Sequence, residues 1–174
     1  MADYTNESFR KCLKIGKVGE QAVIDCLFKH GLPYKLNDTE NKLDYDIESE
    51  IAGKKFTIEV KYDKMSCRTG NVCIEYHNDD LNSDSGILGT KANLFATVIE
   101  DGSNHVVFLT SVKRLRKFIK DVPPLKDFKM GGNNNSSFYL YKDSHILPAI
   151  YERIDTQTTD KSLKFIKLLL KEKV

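Results

Sequence analysis

The chain has 174 residues, of which 40% are hydrophobic and 30% are charged, and its formal net charge is +2. This length and composition predict one folded domain and exclude the disordered class. A membrane-spanning class is also excluded, because no apolar run approaches the roughly 20 residues that a transmembrane helix needs.

The small net charge hides an uneven distribution along the chain. Residues 36–50 carry six acids and one base, residues 111–129 seven bases and two acids, and residues 161–173 five lysines and one acid. A cluster of acids between blocks of bases fits a metal site held against a polyanion. The same charges also fit solvated helix faces, and charge alone favours that second interpretation.

The cysteines and the N-terminal residues indicate a compartment. The four cysteines, Cys12, Cys26, Cys67 and Cys73, include no C-x-x-C pair, and each is predicted to be a small buried hydrophobic residue in a reducing environment. The first residues have neither the basic start nor the apolar stretch of a signal peptide. We therefore expect a cytoplasmic protein, in its own cell or in a virus-infected host.

The first predicted element is a helix over residues 6–30, where apolar residues recur with three-and-four spacing. Gly31 supplies the C-terminal stop, and Pro33 follows shortly after it. Gly16 and Gly19 each weaken the middle of this helix by about 1 kcal/mol relative to alanine. We therefore expect another backbone element or a ligand to approach closely at these glycines.

Alternating apolar residues then predict a group of strands. Residues 43–48 alternate apolar with acidic side chains, and a turn at Ala52-Gly53 joins them to residues 56–62 in a predicted hairpin. Residues 71–77 predict a third strand. Residues 94–100 and 105–109 predict a second hairpin around Asp101-Gly102.

The C-terminal part continues the alternation of elements. Thr110 or Ser111 caps a predicted helix that runs to Lys120 and ends before two prolines. Residues 131–137 predict a loop, residues 138–142 a last strand and residues 160–173 a last helix. This order predicts a single α/β domain over 1–174, with a mixed sheet flanked by helices, a core of about 9–120 and a C-terminal extension of about 121–174.

Polar residues on the first helix and the first two strands form a candidate catalytic group. Glu20 lies on the helix and Asp46 on the first strand, while Glu59 and Lys61 project together from the second strand, away from its apolar face. Two carboxylates on neighbouring strands, with the Val60 carbonyl between them, offer the oxygen ligands that Mg²⁺ takes. Lys61 can polarise a water for phosphodiester hydrolysis, and Glu20 can orient the hydration shell of the cation.

This pattern resembles the PD-(D/E)xK nuclease superfamily over roughly residues 9–100. The helix with Gly16 and Glu20, followed by Asp46 and then Glu59-Val60-Lys61, looks most like the archaeal-type Holliday-junction resolvases, and phage-encoded and homing endonucleases stay open. Tyr45 stands where the family has its proline. Alternation places Asp44, Asp46 and Glu48 on one face, and Asp46 is preferred because the family pattern favours an aspartate followed directly by an aliphatic residue.

The resemblance implies a restriction endonuclease-like fold and a DNA endonuclease that requires a divalent metal. On this analogy Asp46 and Glu59 bind Mg²⁺, for which Mn²⁺ substitutes, together with Val60 and Glu20, and Lys61 is the catalytic lysine. DNA is then the partner, a homodimer is implied, and no membrane partner is expected. The alternatives are a site-specific phage or homing-type endonuclease and a catalytically inactive nucleic-acid-binding module of the same fold.

Further residues are candidates for DNA contacts because they lie on the helix of Glu20, just before the third strand, or in the loop after it. They are Lys14, Lys17, Arg68, Asn71, Ser85, Thr90 and Lys91. Glu75, on the third strand, is either a further member of the acidic face or an ordinary solvated acid, and the latter interpretation is favoured.

Overall fold

A computed structural model describes residues 4–37, 44–130, 135–156 and 158–171, and the side chains of residues 4–13 and of Met130 lie outside that description. The predicted loop over residues 131–137 and the start of the predicted strand at residue 43 fall partly outside it as well. The described elements, in chain order, are α1 (Tyr4–Lys29), β1 (Tyr34–Leu36), β2 (Ile47–Ile51), β3 (Lys54–Asp63), α2 (Ser66–Thr69), β4 (Asn71–Asn78), β5 (Ser83–Asp84), α3 (Gly86–Gly89), β6 (Leu94–Asp101), β7 (Asn104–Ser111), α4 (Val112–Asp121), β8 (Lys126–Met130), β9 (Ser136–Lys142), α5 (Asp143–Ile150), β10 (Glu152–Arg153) and α6 (Thr159–Leu169).

A six-stranded mixed sheet forms the centre of the fold, in the order β1-β2-β3-β6-β7-β10. Strands β1, β2 and β3 form an antiparallel meander, β3 pairs with β6 in parallel, and β7 and β10 continue the sheet antiparallel. The predicted α/β class with a mixed sheet flanked by helices is therefore confirmed. The chain passes from β3 to β6 through α2, β4, β5 and α3, because a parallel pair cannot be joined by a tight turn.

The predicted hairpin is present with its turn at Ala52-Gly53, but its first strand spans Ile47–Ile51 and not residues 43–48. Its strands are in register from Ile47 opposite Ile58 to Ile51 opposite Lys54. Ala52 and Gly53 both have positive φ angles, 53° and 76°, which is the conformation of a two-residue type I′ turn. The turn fixes the register, so alternate residues of β3 face opposite sides of the sheet.

The third strand predicted over residues 71–77 is present, but it lies outside the main sheet. These residues form β4, which belongs to a second, four-stranded sheet in the order β5-β4-β9-β8. The third strand of the meander is instead β1, which precedes β2 and is too short to show an alternating pattern. Besides the short β5, the partner of β4 is β9, about 60–70 residues away in sequence, so no local signal marks that pairing.

Two hydrophobic cores lie on opposite faces of the main sheet. One core joins α1 and α6 to the side chains of Phe56, Ile58 and Val60 on β3. The other joins the second sheet, α4 and α5 to Phe95 of β6. Because both faces are covered, the polar residues of β3 that alternate with its apolar ones lie between two layers of structure.

The segment after residue 120 is integrated into these layers. β8 and β9 complete the second sheet, and β10 pairs with β7 at the edge of the main sheet. Ile166 and Leu169 of α6 are buried in the core that contains α1. The predicted extension is thus packed against the predicted core and shares its hydrophobic interior.

The cysteine prediction is confirmed at one position and wrong at two. Cys26 is buried, whereas Cys67 and Cys73 are exposed free thiols, and Cys12 lies outside the described side chains. Cys73 is exposed because it lies on the face of β4 opposite the buried Val72 and Ile74. Among the described residues, no helix has the length and apolar character needed to cross a bilayer.

Candidate active site

Asp46 lies directly before β2, where the pairing of β2 with β3 ends. Its N–H donates to the Ile58 carbonyl oxygen at 3.0 Å and so extends the ladder by one residue. Its carboxylate oxygen Oδ2 accepts a hydrogen bond from the Val60 N–H at 2.7 Å. Because this bond crosses between the strands, it holds the Asp46 carboxylate against the edge of β3, next to Glu59.

Glu59 projects from β3 on the face opposite its neighbours Ile58 and Val60. Its side chain is only 11% exposed, and its Oε1 lies 2.9 Å from the ammonium nitrogen of Lys61, whose side chain is 38% exposed. Oε2 accepts a hydrogen bond from the Thr90 hydroxyl at 3.2 Å. A buried carboxylate needs such partners to offset the loss of hydration.

The Thr90 hydroxyl connects Glu59 to the loop after α3. It lies 3.1 Å from the Asp44 carbonyl oxygen and accepts a hydrogen bond from the Ala92 N–H at 3.1 Å. Arg116 of α4 holds this loop from behind, since its guanidinium donates to the carbonyl oxygens of Ile87, Leu88 and Thr90, the last at 2.7 Å. The orientation of Glu59 therefore depends on residues from two further elements.

Electrostatics in this group favour a partly protonated acid. Burial, and after it the negative charge of Glu59, raise the pKa of Asp46 from a usual value of 3.8 to about 6, with a smaller contribution from Glu20. The Val60 N–H and the Lys61 ammonium lower the pKa but do not cancel these effects. Two carboxylates close together thus carry more negative charge than the single neighbouring lysine offsets.

Asp46→Asn is expected to raise the stability of the metal-free protein at pH 7. Because the pKa of Asp46 is higher in the folded state than in the unfolded state, ionisation of Asp46 opposes folding. The contribution of Asp46 to the free energy of unfolding is therefore most favourable below about pH 4, and it is lost as the pH rises through about 6. A neutral amide that still accepts the Val60 N–H avoids this cost, so we expect the free energy of unfolding to increase by about 2 kcal/mol.

Thermal unfolding in EDTA at pH 7 and pH 4 measures this effect, and a gain of about 2 kcal/mol corresponds to roughly 4–8 °C in Tm for a chain of this size. The gain should vanish at pH 4, where wild-type Asp46 is protonated. Asp44→Asn is the control, since that carboxylate is 45% exposed and its loss should change stability by less than about 0.5 kcal/mol. A destabilised Asp46→Asn protein at pH 7 would contradict the expectation.

Lys61 stays protonated in this environment. Burial lowers its pKa, but the carboxylates of Glu59, Glu75 and Asp46 raise it by more, so that the pKa ends above its usual value of 10.5. The ammonium group is therefore a permanent positive charge at neutral pH. Because it contacts one oxygen of Glu59, its remaining N–H donors are available to an anionic ligand.

Glu20 reaches the group from α1, which packs across β3. A Cβ atom at Gly19 would lie 2.9 Å from the Tyr62 Cβ and 3.4 Å from Val60, so only glycine permits this approach. The close approach expected at Gly19 is confirmed, whereas Gly16 has open space around it. Glu20 is half-buried, and its charge raises the pKa of Asp46, as expected for a carboxylate at the margin of the group.

The oxygens of this group suit a small divalent cation. N–H and C=O of one residue point to the same side of an extended strand, so the Val60 carbonyl lies on the edge of β3 that faces Asp46. Asp46, Glu59 and this carbonyl therefore offer hard oxygen ligands, and Mg²⁺ takes few protein ligands and keeps several waters. Among the described residues, no group of three or more His, Cys, Asp or Glu side chains is arranged to hold a metal ion.

Asp44 and Asp46 occupy different environments, although alternation assigns them to one face. The Asp44 carboxylate forms an ion pair with Lys91 at 2.9 Å, and both side chains are largely exposed. The Asp44 backbone carbonyl accepts the Lys91 N–H and contacts Thr90, which turns its side chain to the surface. Only Asp46 is held against β3.

The residues predicted to contact DNA are spread over different environments. The side chains at the surface are Lys14, Lys17, Arg68 and Lys91. The Asn71 amide donates to the Thr69 carbonyl, and the Ser85 hydroxyl donates to Glu75. The prediction for Thr90 needs correction, since this residue is 4% exposed and its hydroxyl is engaged with Glu59 inside the protein.

Sequence reasoning missed a basic groove beside the Thr90 loop. We use this name for a groove of about 650 Å³ in which five of the described lining residues are cationic and none is acidic: Lys54, Lys55, Lys91, Lys113 and Arg116. Lys55 and Lys91 are partly neutralised by ion pairs with Glu48 and Asp44. Two of the five, Lys113 and Arg116, belong to the basic segment of residues 111–129, but only the fold brings them next to the lysines of β3.

The group thus contains the buried Glu59 carboxylate, the half-buried Asp46 carboxylate, a permanently charged lysine and a neighbouring basic groove. Comparisons of the chain with protein-family models, with curated proteins and with solved structures gave no significant match.

Proposed function

We propose that the protein is a divalent-metal-dependent DNA endonuclease that hydrolyses phosphodiester bonds. The observation that supports this most is the placement of Asp46, Glu59 and Lys61, which brings a half-buried carboxylate, a buried carboxylate and an ammonium group together at the end of one hairpin. An ordinary surface ion pair needs neither burial nor a supporting hydroxyl. A carboxylate whose pKa is raised by burial and by a neighbouring like charge, as that of Asp46 is, is typical of functional sites.

In this proposal some of the residues bind a cation, and Lys61 binds the phosphate. Asp46, Glu59 and the Val60 carbonyl would hold Mg²⁺ or Mn²⁺, with Glu20 at the margin. The bound cation would supply Lewis acidity at a phosphoryl oxygen and a lower pKa for water. Lys61 donates hydrogen bonds to the phosphate oxygens, where negative charge increases as the bond to phosphorus forms.

The basic groove supports a polyanion as the substrate. Its lysines and Arg116 lie next to the loop that carries Thr90, and Thr90 contacts Glu59. A nucleic-acid strand bound along the groove would have its phosphates near the carboxylates. Neutralisation of phosphates by lysine and arginine releases counterions and makes such binding sensitive to salt.

The finer assignments follow from the resemblance to the PD-(D/E)xK nucleases. The resemblance suggests a structure-specific activity like that of Holliday-junction resolvases. It also suggests a homodimer, because two strands need two active sites, and a cytoplasmic location in the cell or in an infected host. A site-specific phage or homing-type endonuclease uses the same chemistry. Comparing the cleavage of a four-way junction with that of a linear duplex of the same sequence distinguishes these substrates.

Removal of the metal is expected to abolish cleavage. Wild-type protein with Mg²⁺ should nick supercoiled plasmid, EDTA should reduce the rate to background, and excess Mg²⁺ or Mn²⁺ should restore it. The physical reason is that two ionised carboxylates repel an incoming phosphate unless a cation lies between them. Gel analysis of nicked and linear plasmid over time measures the rate.

Binding measured in parallel separates an enzyme from an inactive binding module of the same fold. If labelled DNA binds with a strong salt dependence but Mg²⁺ and Mn²⁺ both fail to induce cleavage of plasmid, junction and single strands, the endonuclease proposal is wrong. If DNA does not bind at all, the nucleic-acid partner is wrong as well.

A further inference from the structure

The second sheet presents a row of residues that the proposed chemistry does not use. Glu75 of β4 is in register with Phe138 of β9, and Phe138 is in register with Phe128 of β8. The two phenylalanine rings are stacked, with their centroids 5.7 Å apart and their planes 22° from parallel. Lys126 lies over the Phe128 ring at 5.8 Å. Three neighbouring strands thus form a flat surface with two aromatic rings.

Alternation separates this surface from the hydrophobic core. Val72, Ile74 and Tyr141 lie on the other face of the same sheet and are buried in the second core. Phe128 and Phe138 are only half-buried, although phenylalanine is among the residues most often found inside.

The Phe138 ring lines a cleft that also contains Lys61. We use the name aromatic cleft for this space of about 360 Å³, whose walls include Lys61, Lys64, Glu75, Thr97 and Phe138. Its volume is near the lower end of the range of about 300–1,000 Å³ for small-ligand sites. A ligand in the cleft would contact the ring on one side and the lysine of the proposed active site on the other.

Glu75 is held in place at the wall of this cleft. Its Oε1 accepts hydrogen bonds from the hydroxyls of Ser85 and Ser136, at 2.9 Å and 3.1 Å. A carboxylate is an acceptor only, and it suits the exocyclic amino groups of nucleobases. The cleft therefore combines an aromatic face, a fixed acceptor and ammonium groups.

We propose that the aromatic cleft binds one unpaired nucleobase, stacked on Phe138, from the nucleotide adjacent to the phosphate at Lys61. This inference rests on the proposed nuclease function and specifies its substrate: nucleic acid with an unpaired or flipped-out nucleotide at the cleavage position. A base within a duplex has both faces covered by its neighbours, so only an unstacked base can present its face to the ring. Lys61 suits the phosphate next to that base.

The test uses duplexes that contain the fluorescent base 2-aminopurine, either in a single unpaired position or fully paired. The protein is the full chain carrying Asp46→Asn, in EDTA, so that binding occurs without cleavage. We expect binding to change the fluorescence of the unpaired base, because the base leaves the helical stack, and we expect the unpaired duplex to bind roughly tenfold more tightly than the paired one. Adding Phe138→Leu should remove the fluorescence change and reduce the affinity preference to near one, and Phe138→Tyr should retain both.

Phe28→Leu is the matched control, since Phe28 of α1 is 77% exposed and lies away from the cleft; it should change neither readout. An unchanged affinity preference in Phe138→Leu overturns the proposal, as does a fluorescence change that is equal for both duplexes. Wild-type cleavage in Mg²⁺ is scored separately. Cleavage with a preference that does not depend on Phe138 refutes the base site alone, whereas a Phe138-dependent preference without cleavage refutes the nuclease function alone.

Discussion

Asp46→Asn is expected to lower the rate of metal-dependent DNA cleavage by about 10³-fold or more, while Asp44→Asn keeps most of the wild-type rate. The two aspartates are two residues apart, but only Asp46 is held against β3 by the Val60 N–H. An amide binds Mg²⁺ far more weakly than a carboxylate does, because it carries no charge. Single-turnover cleavage of plasmid in saturating Mg²⁺ measures both variants.

The comparison is controlled for folding and for DNA binding. Asn at position 46 still accepts the Val60 hydrogen bond and removes one negative charge, so DNA should bind at least as well as to the wild type. Asp44→Asn loses an exposed ion pair with Lys91, which is worth little. Loss of cleavage in Asp44→Asn with retention in Asp46→Asn would reassign the metal ligand to Asp44.

Local patterns were sufficient for the elements that carry the candidate site. The hairpin of β2 and β3 was predictable because alternation and a two-residue turn together determine its register. The long first helix and the Ser111 cap of α4 were predictable for a similar reason, since capping and three-and-four spacing act within a few residues; the Ser111 hydroxyl accepts the Arg114 N–H at 3.1 Å.

Contacts between residues far apart in sequence were not predictable in this way. Thr90 supports Glu59 from 31 residues away, and Arg116 holds the Thr90 loop from a further 26. The pattern around Thr90 is that of a polar loop, which is why it was assigned to the DNA surface. The sequence alone does not distinguish a hydroxyl in a surface loop from one in a buried site. The burial of Thr90 next to Glu59 depends on the pairing of β3 with β6.

The pairing of strands in the second sheet was also not predictable from local sequence patterns. The residues of β4 alternate well enough to predict a strand, but alternation does not identify its partner. Pairing with β9 places Glu75 near Lys61 and brings Phe138 and Phe128 together. The aromatic cleft therefore arises from pairing that joins residues about 60 apart, whereas the carboxylates and the lysine come mainly from one hairpin.

Lys61→Ala is expected to reduce the cleavage rate by about 10²–10³-fold without abolishing DNA binding. Its ammonium group is the cation between Glu59 and the position proposed for the phosphate, and the nearby carboxylates keep it protonated at neutral pH. Removing it leaves the developing charge on the phosphate without a donor. Cleavage rates in Mg²⁺, with binding measured separately in EDTA, distinguish a loss of chemistry from a loss of affinity.

Two further lysine variants test whether position matters or only charge. Lys64→Ala removes a neighbouring exposed lysine, which lies over the Tyr62 ring at 5.8 Å, and should keep the wild-type rate to within a few-fold. Lys61→Arg preserves the ion pair with Glu59, but its planar guanidinium places its donors differently, so its rate should lie between those of the wild type and Lys61→Ala. If Lys61→Ala cleaves as fast as Lys64→Ala, the amine serves only to neutralise Glu59, and phosphate stabilisation must come from another group.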